Sequence, residues 1–230
     1  FVDQVCPVTR FLKRIRIESL GIDPDSVKKA ADRIKQAKKN GEHVIIYGDY
    51  DADGITGTAT LWETLHDLGI FVLPHIPERF SEGYGLNLTS VKKLKEEDPK
   101  ISLIITVDHG ITAGDKIPEV KKMGIDMIIT DHHQKGEKLP RPLALIYTPK
   151  VSGSALAWFF SKELINMLKS ENLLEIENWK LKIAERLSLA AIGTIADQLP
   201  LTGVNRSVAK FGLASLEKTK RPGLTALYKS

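Results

Sequence analysis

Short runs of apolar residues alternate along the chain with longer stretches in which apolar positions return every three or four residues. Residues 43–47, 70–73, 102–107, 126–130 and 143–147 are rich in β-branched side chains and apolar at successive positions. Each run predicts a strand covered on both faces. Between them, Val27, Ala30, Ala31, Ile34 and Ala37 recur at helical spacing, after an Asp23-Pro24-Asp25 start and before an Asn40-Gly41 stop. Helices are read in the same way over residues 55–68, 88–95 and 115–123. Beyond Lys150–Gly153, the one seam the pattern offers, it turns helical, over 155–169, 181–195 and 204–217. Strands separated by helices predict an α/β fold, a mostly parallel sheet with helices on both faces, followed by a helical C-terminal segment. One domain is expected over residues 1–200, with a helical lead-in at 1–41 and a helical part at 154–200. A basic helical segment follows at 201–230.

Composition narrows the class. A chain of 230 residues with 42 % hydrophobic content can bury a sizeable core. Its apolar runs are of strand length, so no membrane span is expected. No charged-then-apolar leader is read at the N-terminus. Cys6 is the single cysteine, which excludes an internal disulfide and a thiolate metal cage, and a reducing cytoplasm is the expected setting. The net charge is +4. After residue 200, Arg206, Lys210, Lys218, Lys220, Arg221 and Lys229 face Glu217 alone, leaving the rest of the chain near neutrality. The tail reads either as a solvated helical face or as a surface that tracks phosphates.

Three of the predicted strands end alike. The first runs into Asp49-Tyr50-Asp51-Ala52-Asp53-Gly54, the second into Asp108-His109-Gly110, the third into Asp131-His132-His133. Parallel strands deliver their C-terminal loops to one crevice. Asp197, near the end of an otherwise apolar helix with Ile195, Ala196 and Leu199 around it, is expected to be buried and to join them. Asp49, Asp51, Asp53, Asp108, Asp131 and Asp197 cannot all ionise side by side without counter-charge. Either protons or cations must sit among them. Carboxylates with imidazoles and no thiolate suit hard or borderline ions in octahedral sites, Mn²⁺ ahead of Ca²⁺ with Mg²⁺ as a substitute. Two ions sharing a carboxylate would account for so many donors. Asp49 alone also reads as a helix cap. His109 reads equally as a ligand or a loop residue, and His43 and His75 as structural.

These motifs resemble, in order, those of the DHH phosphoesterase superfamily. Within it, Ile76-Pro77-Glu78-Arg79-Phe80-Ser81-Glu82-Gly83-Tyr84-Gly85-Leu86 is similar to a segment peculiar to the RecJ exonucleases. The stretch from Gly193 to Leu201, Asn205-Arg206 and Gly212-Leu213 resemble that family too. The resemblance implies a nuclease of DNA repair or recombination that degrades single-stranded DNA from its 5′ end, using Mn²⁺ or Mg²⁺. Asp51 and Asp108 would hold one ion; Asp53, Asp108, His132 and Asp197 would hold the other. His133 would contact the scissile phosphate, and Asp131 and His109 would be ligands or their supports. Tyr47 stands where many DHH enzymes carry a histidine ligand, and Asp49 is the expected substitute. The stretch from Pro149 to Ser152 is shorter than expected of RecJ, and the family continues into a second, substrate-gripping domain.

Arg79 reads as a bidentate phosphate clamp or as an ion-pair partner of Glu78 or Glu82. Tyr84 reads as a base-stacking residue or part of a glycine turn. Ser152-Gly153-Ser154 reads as a helix N-terminus offered to a phosphate or as a simple cap, and Arg206 as a further substrate contact. Two alternatives share the fold: a DHH phosphodiesterase of oligonucleotides or cyclic dinucleotides, and a non-catalytic replication scaffold like the eukaryotic Cdc-type relatives. The second predicts eroded aspartates, whereas here they are intact.

Overall fold

A computed structural model describes residues 12, 14–170 and 178–229; Cys6 and the first part of the helical lead-in lie outside the described residues. A 3-10 turn at Ile17–Leu20 precedes helix α1 (Pro24–Asn40), strand β1 (His43–Tyr47), helix α2 (Ala52–Asp67) and strand β2 (Val72–His75). Helix α3 (Leu88–Glu97), strand β3 (Ile101–Val107), helix α4 (Ile117–Lys122), strand β4 (Asp126–Asp131) and strand β5 (Ala144–Tyr147) follow. Helices α5 (Gly153–Ser170), α6 (Trp179–Ala196), α7 (Gly203–Leu216) and α8 (Pro222–Lys229) complete the chain.

The five strands form one sheet in the order β2-β1-β3-β4-β5. Every pairing is parallel. The strands that precede the acidic motifs, β1, β3 and β4, are therefore adjacent in the middle and end on the same edge. Side-chain alternation splits the core in two. Val44, Ile46, Leu103, Ile105, Val107 and Ile128 face α1, α2, α5 and α6. Ile45, Tyr47, Ile104 and Ile129 face α3 and α4, represented by Val91, Ile117 and Val120. Full burial of one such side chain stabilises by about 1.5–3 kcal/mol, so both layers contribute. Val208 of α7 joins the larger core, and α7 lies so close to α6 that a Cβ on Gly212 would fall 2.4 Å from the Leu187 carbonyl oxygen.

Local chemistry sets the helix ends. Asp23 caps α1 by accepting from the N–H groups of Asp25 and Ser26, worth about 1 kcal/mol. Buried Arg33 then ties α1 to the opposite edge of the sheet, 2.7 Å from both Glu42 and Asp126. Strand β2 begins two residues later than its hydrophobic run predicts. Gly69 turns in the left-handed region at φ 72°, and the Ile70 N–H returns to the Leu65 carbonyl at 3.1 Å. Ile70 thus closes the C-terminus of α2 instead of opening a strand. Helix α4 is shorter than predicted because Pro118 lies in its first turn. Helix α8 is a separate element within the segment read only as a basic helical tail. Among the described residues no helix is long and apolar enough to cross a membrane.

Candidate metal centre

The loops beyond β1, β3 and β4 meet at the C-terminal edge of the sheet, with the end of α6 beside them. Asp51 is the N-cap of α2, its carboxylate accepting from the Gly54 N–H at 2.9 Å, and Asp53 lies in the first turn. Asp108 follows β3 with φ 67°, in the left-handed region. Asp197 ends α6. Ligand atoms of Asp49, Asp51 and Asp108 lie within 4.8 Å of one another. So do those of Asp53, His132 and Asp197, and those of Asp108, His132 and His133. His132 Nε2 is 3.0 Å from Asp108 Oδ1, 3.5 Å from Asp197 and 3.8 Å from Asp53.

The electrostatics of this cluster are unbalanced as it stands. Asp108 is 1 % exposed, and burial, then the neighbouring Asp53, push its pKa up to about 10. Burial also raises Asp49, although the Tyr50 N–H opposes it, and raises Asp197 against the pull of His132. Asp108 Oδ1 and His132 Nε2 are buried without a hydrogen-bond partner although they face each other. Orphaned donor atoms converging among raised carboxyls fit divalent cations. Oxygen and imidazole donors without sulfur suit Mn²⁺ or Mg²⁺.

Asp131 behaves differently. It accepts from the N–H groups of His132, His133 and Ile111 and from His133 Nδ1 at 2.8 Å. Burial works against it, yet these bonds hold its pKa below the ordinary value. Asp131 is in none of the three donor groups. The same bond is the largest cause of the raised pKa of His133. His109 is fully enclosed, donates from Nε2 to the Tyr47 carbonyl at 2.9 Å, and is pushed down to about 4 by burial. Tyr47 is buried; its hydroxyl accepts from the Asn87 N–H and its ring packs on His75 and His109. Its side chain belongs to the α3 face of the sheet, whereas Asp49 joins the donors.

Around the rim, Arg79 lies 5.3 Å over the ring of Tyr50. Glu78 caps the Phe80 and Ser81 N–H groups, and Glu82 binds Ser90 and His75, so the ion pair foreseen for Arg79 is absent among the described residues. The rings of Tyr84 and His133 meet in a T-shaped contact with centroids 6.1 Å apart, and burial followed by Asp131 and Asp49 raises the Tyr84 hydroxyl. His43 stacks on Phe71 and His75 pairs with Glu82, the structural roles read from the sequence.

Three sequence readings need correction. Ser152, Gly153 and Ser154 are buried, and the N–H groups of Gly153 and Ser154 bind Asp53 at 2.6 and 3.0 Å. Of the two readings for this helix N-terminus, the phosphate seat is the one to correct, since the seat holds a carboxylate of the protein itself. The cap agrees with Ser152 Oγ, which accepts from the Ala155 N–H at 3.2 Å. The tail is not uniformly available either: Arg221 forms a two-pronged pair with Glu63 of α2. Arg206 is exposed on α7, outside the three donor groups. Asp197 is reached not through apolar burial, since Ile195 is 39 % exposed, but through its position at the end of α6. What the sequence reading missed is close packing. A Cβ on Gly153 would lie 2.3 Å from Asp108 Oδ1, and one on Gly193 would lie 2.2 Å from Asp53 Oδ1. A glycine on a helix otherwise apolar and β-branched, as at Gly193, was the available signal.

Residues 43–194 match the DHH family, N-terminal domain. The single-stranded-DNA-specific exonuclease RecJ of Bacillus subtilis is 45 % identical over 203 residues, covering 88 % of this chain and 25 % of the relative. Among solved structures, an exonuclease RecJ bound to manganese aligns with a TM-score of 0.76 at 34 % identity, over 89 % of this chain and 51 % of that one. RecJ of Thermus thermophilus in complex with Mn²⁺ gives 0.69 at 33 % identity, over 89 % and 29 %. The chain thus spans about a quarter of the curated relative, about half of the first manganese-bound structure and under a third of the second.

Proposed function

The chain belongs to the DHH family, and from that premise we propose that it carries the catalytic centre of a two-metal exonuclease acting on single-stranded DNA. The observation that carries this reading is the meeting of Asp108 and His132 between two carboxylate groups, each left without a partner. The similarity to RecJ proteins named as single-stranded-DNA-specific exonucleases supports the substrate class; the 5′-to-3′ direction is what the resemblance of the motifs implies. Asp49, Asp51 and Asp108 would hold one ion, and Asp53, Asp108, His132 and Asp197 the other, with Mn²⁺ preferred to Mg²⁺. Bound divalent ions would supply Lewis acidity, lowering the pKa of an attacking water and offsetting charge on the phosphate.

The protein's own groups do the rest. Asp131 engages His133 Nδ1 and so aims the ring, leaving Nε2 to donate to a phosphoryl oxygen as charge accumulates there. Arg79, exposed above Tyr50, clamps a neighbouring phosphate. Tyr84, beside His133, stacks on a base, and Arg206 meets the strand further out. The test is hydrolysis of end-labelled single strands by the 230-residue chain, with duplexes and dinucleotides as controls. Slow release of nucleotides from the 5′ ends of single strands is expected in millimolar Mn²⁺, none in EDTA and none from Asp108→Ala. Preference for dinucleotides would transfer the site to the phosphodiesterase alternative; a chain that binds no Mn²⁺ would end both readings.

A further inference from the structure

Strands β1 and β3 are neighbours, and each delivers part of the Asp49, Asp51 and Asp108 group from a loop beyond its last residue. The strand register stops at Tyr47 opposite Thr106, so the ladder itself does not fix how far apart the two loops lie. The His109 side chain ties the β3 loop to Tyr47, the last residue of β1 and the point from which the Asp49–Asp51 loop departs. His109 is 1 % exposed, donates from Nε2 to the Tyr47 carbonyl at 2.9 Å, and meets the Tyr47 ring edge-on with centroids 5.3 Å apart. On the β3 side, its own carbonyl accepts from Thr106 Oγ1 at 2.8 Å, and the Ile111 N–H is held by Asp131 at 2.7 Å. Between these anchors the backbone passes through φ 67° at Asp108 and φ 114° at Gly110. A non-glycine residue in that region costs on the order of 1 kcal/mol and persists only where its surroundings over-determine it. Nδ1 is buried without a partner, so a proton belongs on Nε2, where the carbonyl receives it.

We infer that His109 is a positioning residue: it sets the spacing between the Asp49–Asp51 loop and Asp108, and thereby how tightly those three carboxylates hold a divalent cation. The inference rests on the reading of these residues as cation ligands. It predicts an asymmetric effect, because the second ligand set shares only Asp108 with the first and is otherwise fastened by other means. Asp53 is seated on the N–H groups of Gly153 and Ser154, while His132 and Asp197 come from the ends of β4 and α6.

Calorimetric titration with Mn²⁺, paired with the electron paramagnetic resonance of the bound ions, reads this directly. The natural sequence should bind two ions with a spin-coupled signal. His109→Leu should bind the ion of the Asp49, Asp51 and Asp108 group about 10–100-fold more weakly, as for loss of a group that supports a ligand, and the other, which shares only Asp108 with it, clearly less so. With only the tighter site filled, the coupling should vanish. His109→Gln, whose amide can reach the same carbonyl, should restore both. Thermal midpoints in EDTA establish that each variant folds. A folded Leu variant that binds both ions normally, or loses both equally, would overturn the inference, as would a Gln variant that restores nothing. If the Leu variant does not fold, the Gln variant decides alone. Failure of the natural sequence to bind Mn²⁺ would instead sink the proposed function.

Discussion

Asp108 combines three burdens at one position: a left-handed backbone, near-complete burial and a carboxylate crowded by Asp53. Without cations, its folded pKa near 10 lies far above that of an unfolded aspartate. The folded state therefore binds the proton more tightly, and its contribution is full below the ordinary carboxylate range. That contribution is lost as pH rises toward 10, at no more than about 1.4 kcal/mol per pH unit for one group. Asp49 and Asp197, also raised, act in the same direction. In EDTA, denaturant midpoints should fall between about pH 5 and pH 9. Asp108→Asn should flatten that slope and raise the metal-free thermal midpoint at about pH 8 by a few degrees, at about 2–4 °C per kcal/mol. The same variant should gain nothing from Mn²⁺. A metal-free Asn variant less stable than its parent at that pH would mean that Asp108 is not the source of the strain. That these side chains meet was readable, since parallel strands deliver the loops at their C-terminal ends to one crevice. Their supports were less so: the hold of Asp131 on His133 and of His109 on Tyr47 are contacts that no spacing in the sequence announces.

Helix α2 works at both ends. Its first turn carries Asp53, and its last turns carry Glu63 and Asp67, which face Arg186, Lys182 and Arg221. Burial would raise both acids, but hydrogen bonds from Arg221 and Arg186 to Glu63, and from Lys182 and Arg186 to Asp67, hold them below their ordinary values. The sign is opposite to that at the centre: this contribution is full at neutral pH and lost as pH falls through the depressed pKa values. Arg186 is 4 % exposed and joins both acids. Arg186→Ala removes the cation the two carboxylates share, leaving Glu63 to Arg221 and Asp67 to Lys182, and should cost roughly 1.5–3 kcal/mol in urea denaturation at neutral pH. Arg221→Ala, at a more exposed pair, should cost much less. Equal losses would show that the network is not anchored at Arg186. None of these pairings follows from periodicity, because charge on a helix reads as a solvated face until a partner is known. The strands were legible for the opposite reason: runs apolar on both faces suit only a sheet covered on both sides. The late start of β2 shows the limit, since Ile70 is as apolar as a strand residue and is used as a helix closure.

For the molecule as a whole, charge sets what it can grip. Of the basic residues in the tail, Arg221 is engaged with Glu63, which leaves fewer free cations for a nucleic acid than the composition implies. Single-strand affinity grows with the number of phosphates neutralised. This chain should therefore bind long single strands weakly, with a shallow dependence of log K on log salt. Fluorescence anisotropy across a salt series checks this, and a steep slope would place a substantial grip within these residues. The overall architecture was open to prediction because the alternation of strand and helix fixes the sheet's direction. The distribution of usable charge was not, because it depends on which cations the fold has already paired.

Because Asp53 occupies the first amides of α5, deuterium can replace the Gly153 and Ser154 protons only when the carboxylate swings aside. Two amides at a helix start, ordinarily among the fastest to exchange, become clocks for the opening of the centre. In EDTA they should already exchange more slowly than the same positions in Asp53→Ala, and Mn²⁺ should slow them again without touching the far end of α5. Residue-resolved exchange then counts how often the centre comes apart, a rate that neither an affinity nor a turnover number contains.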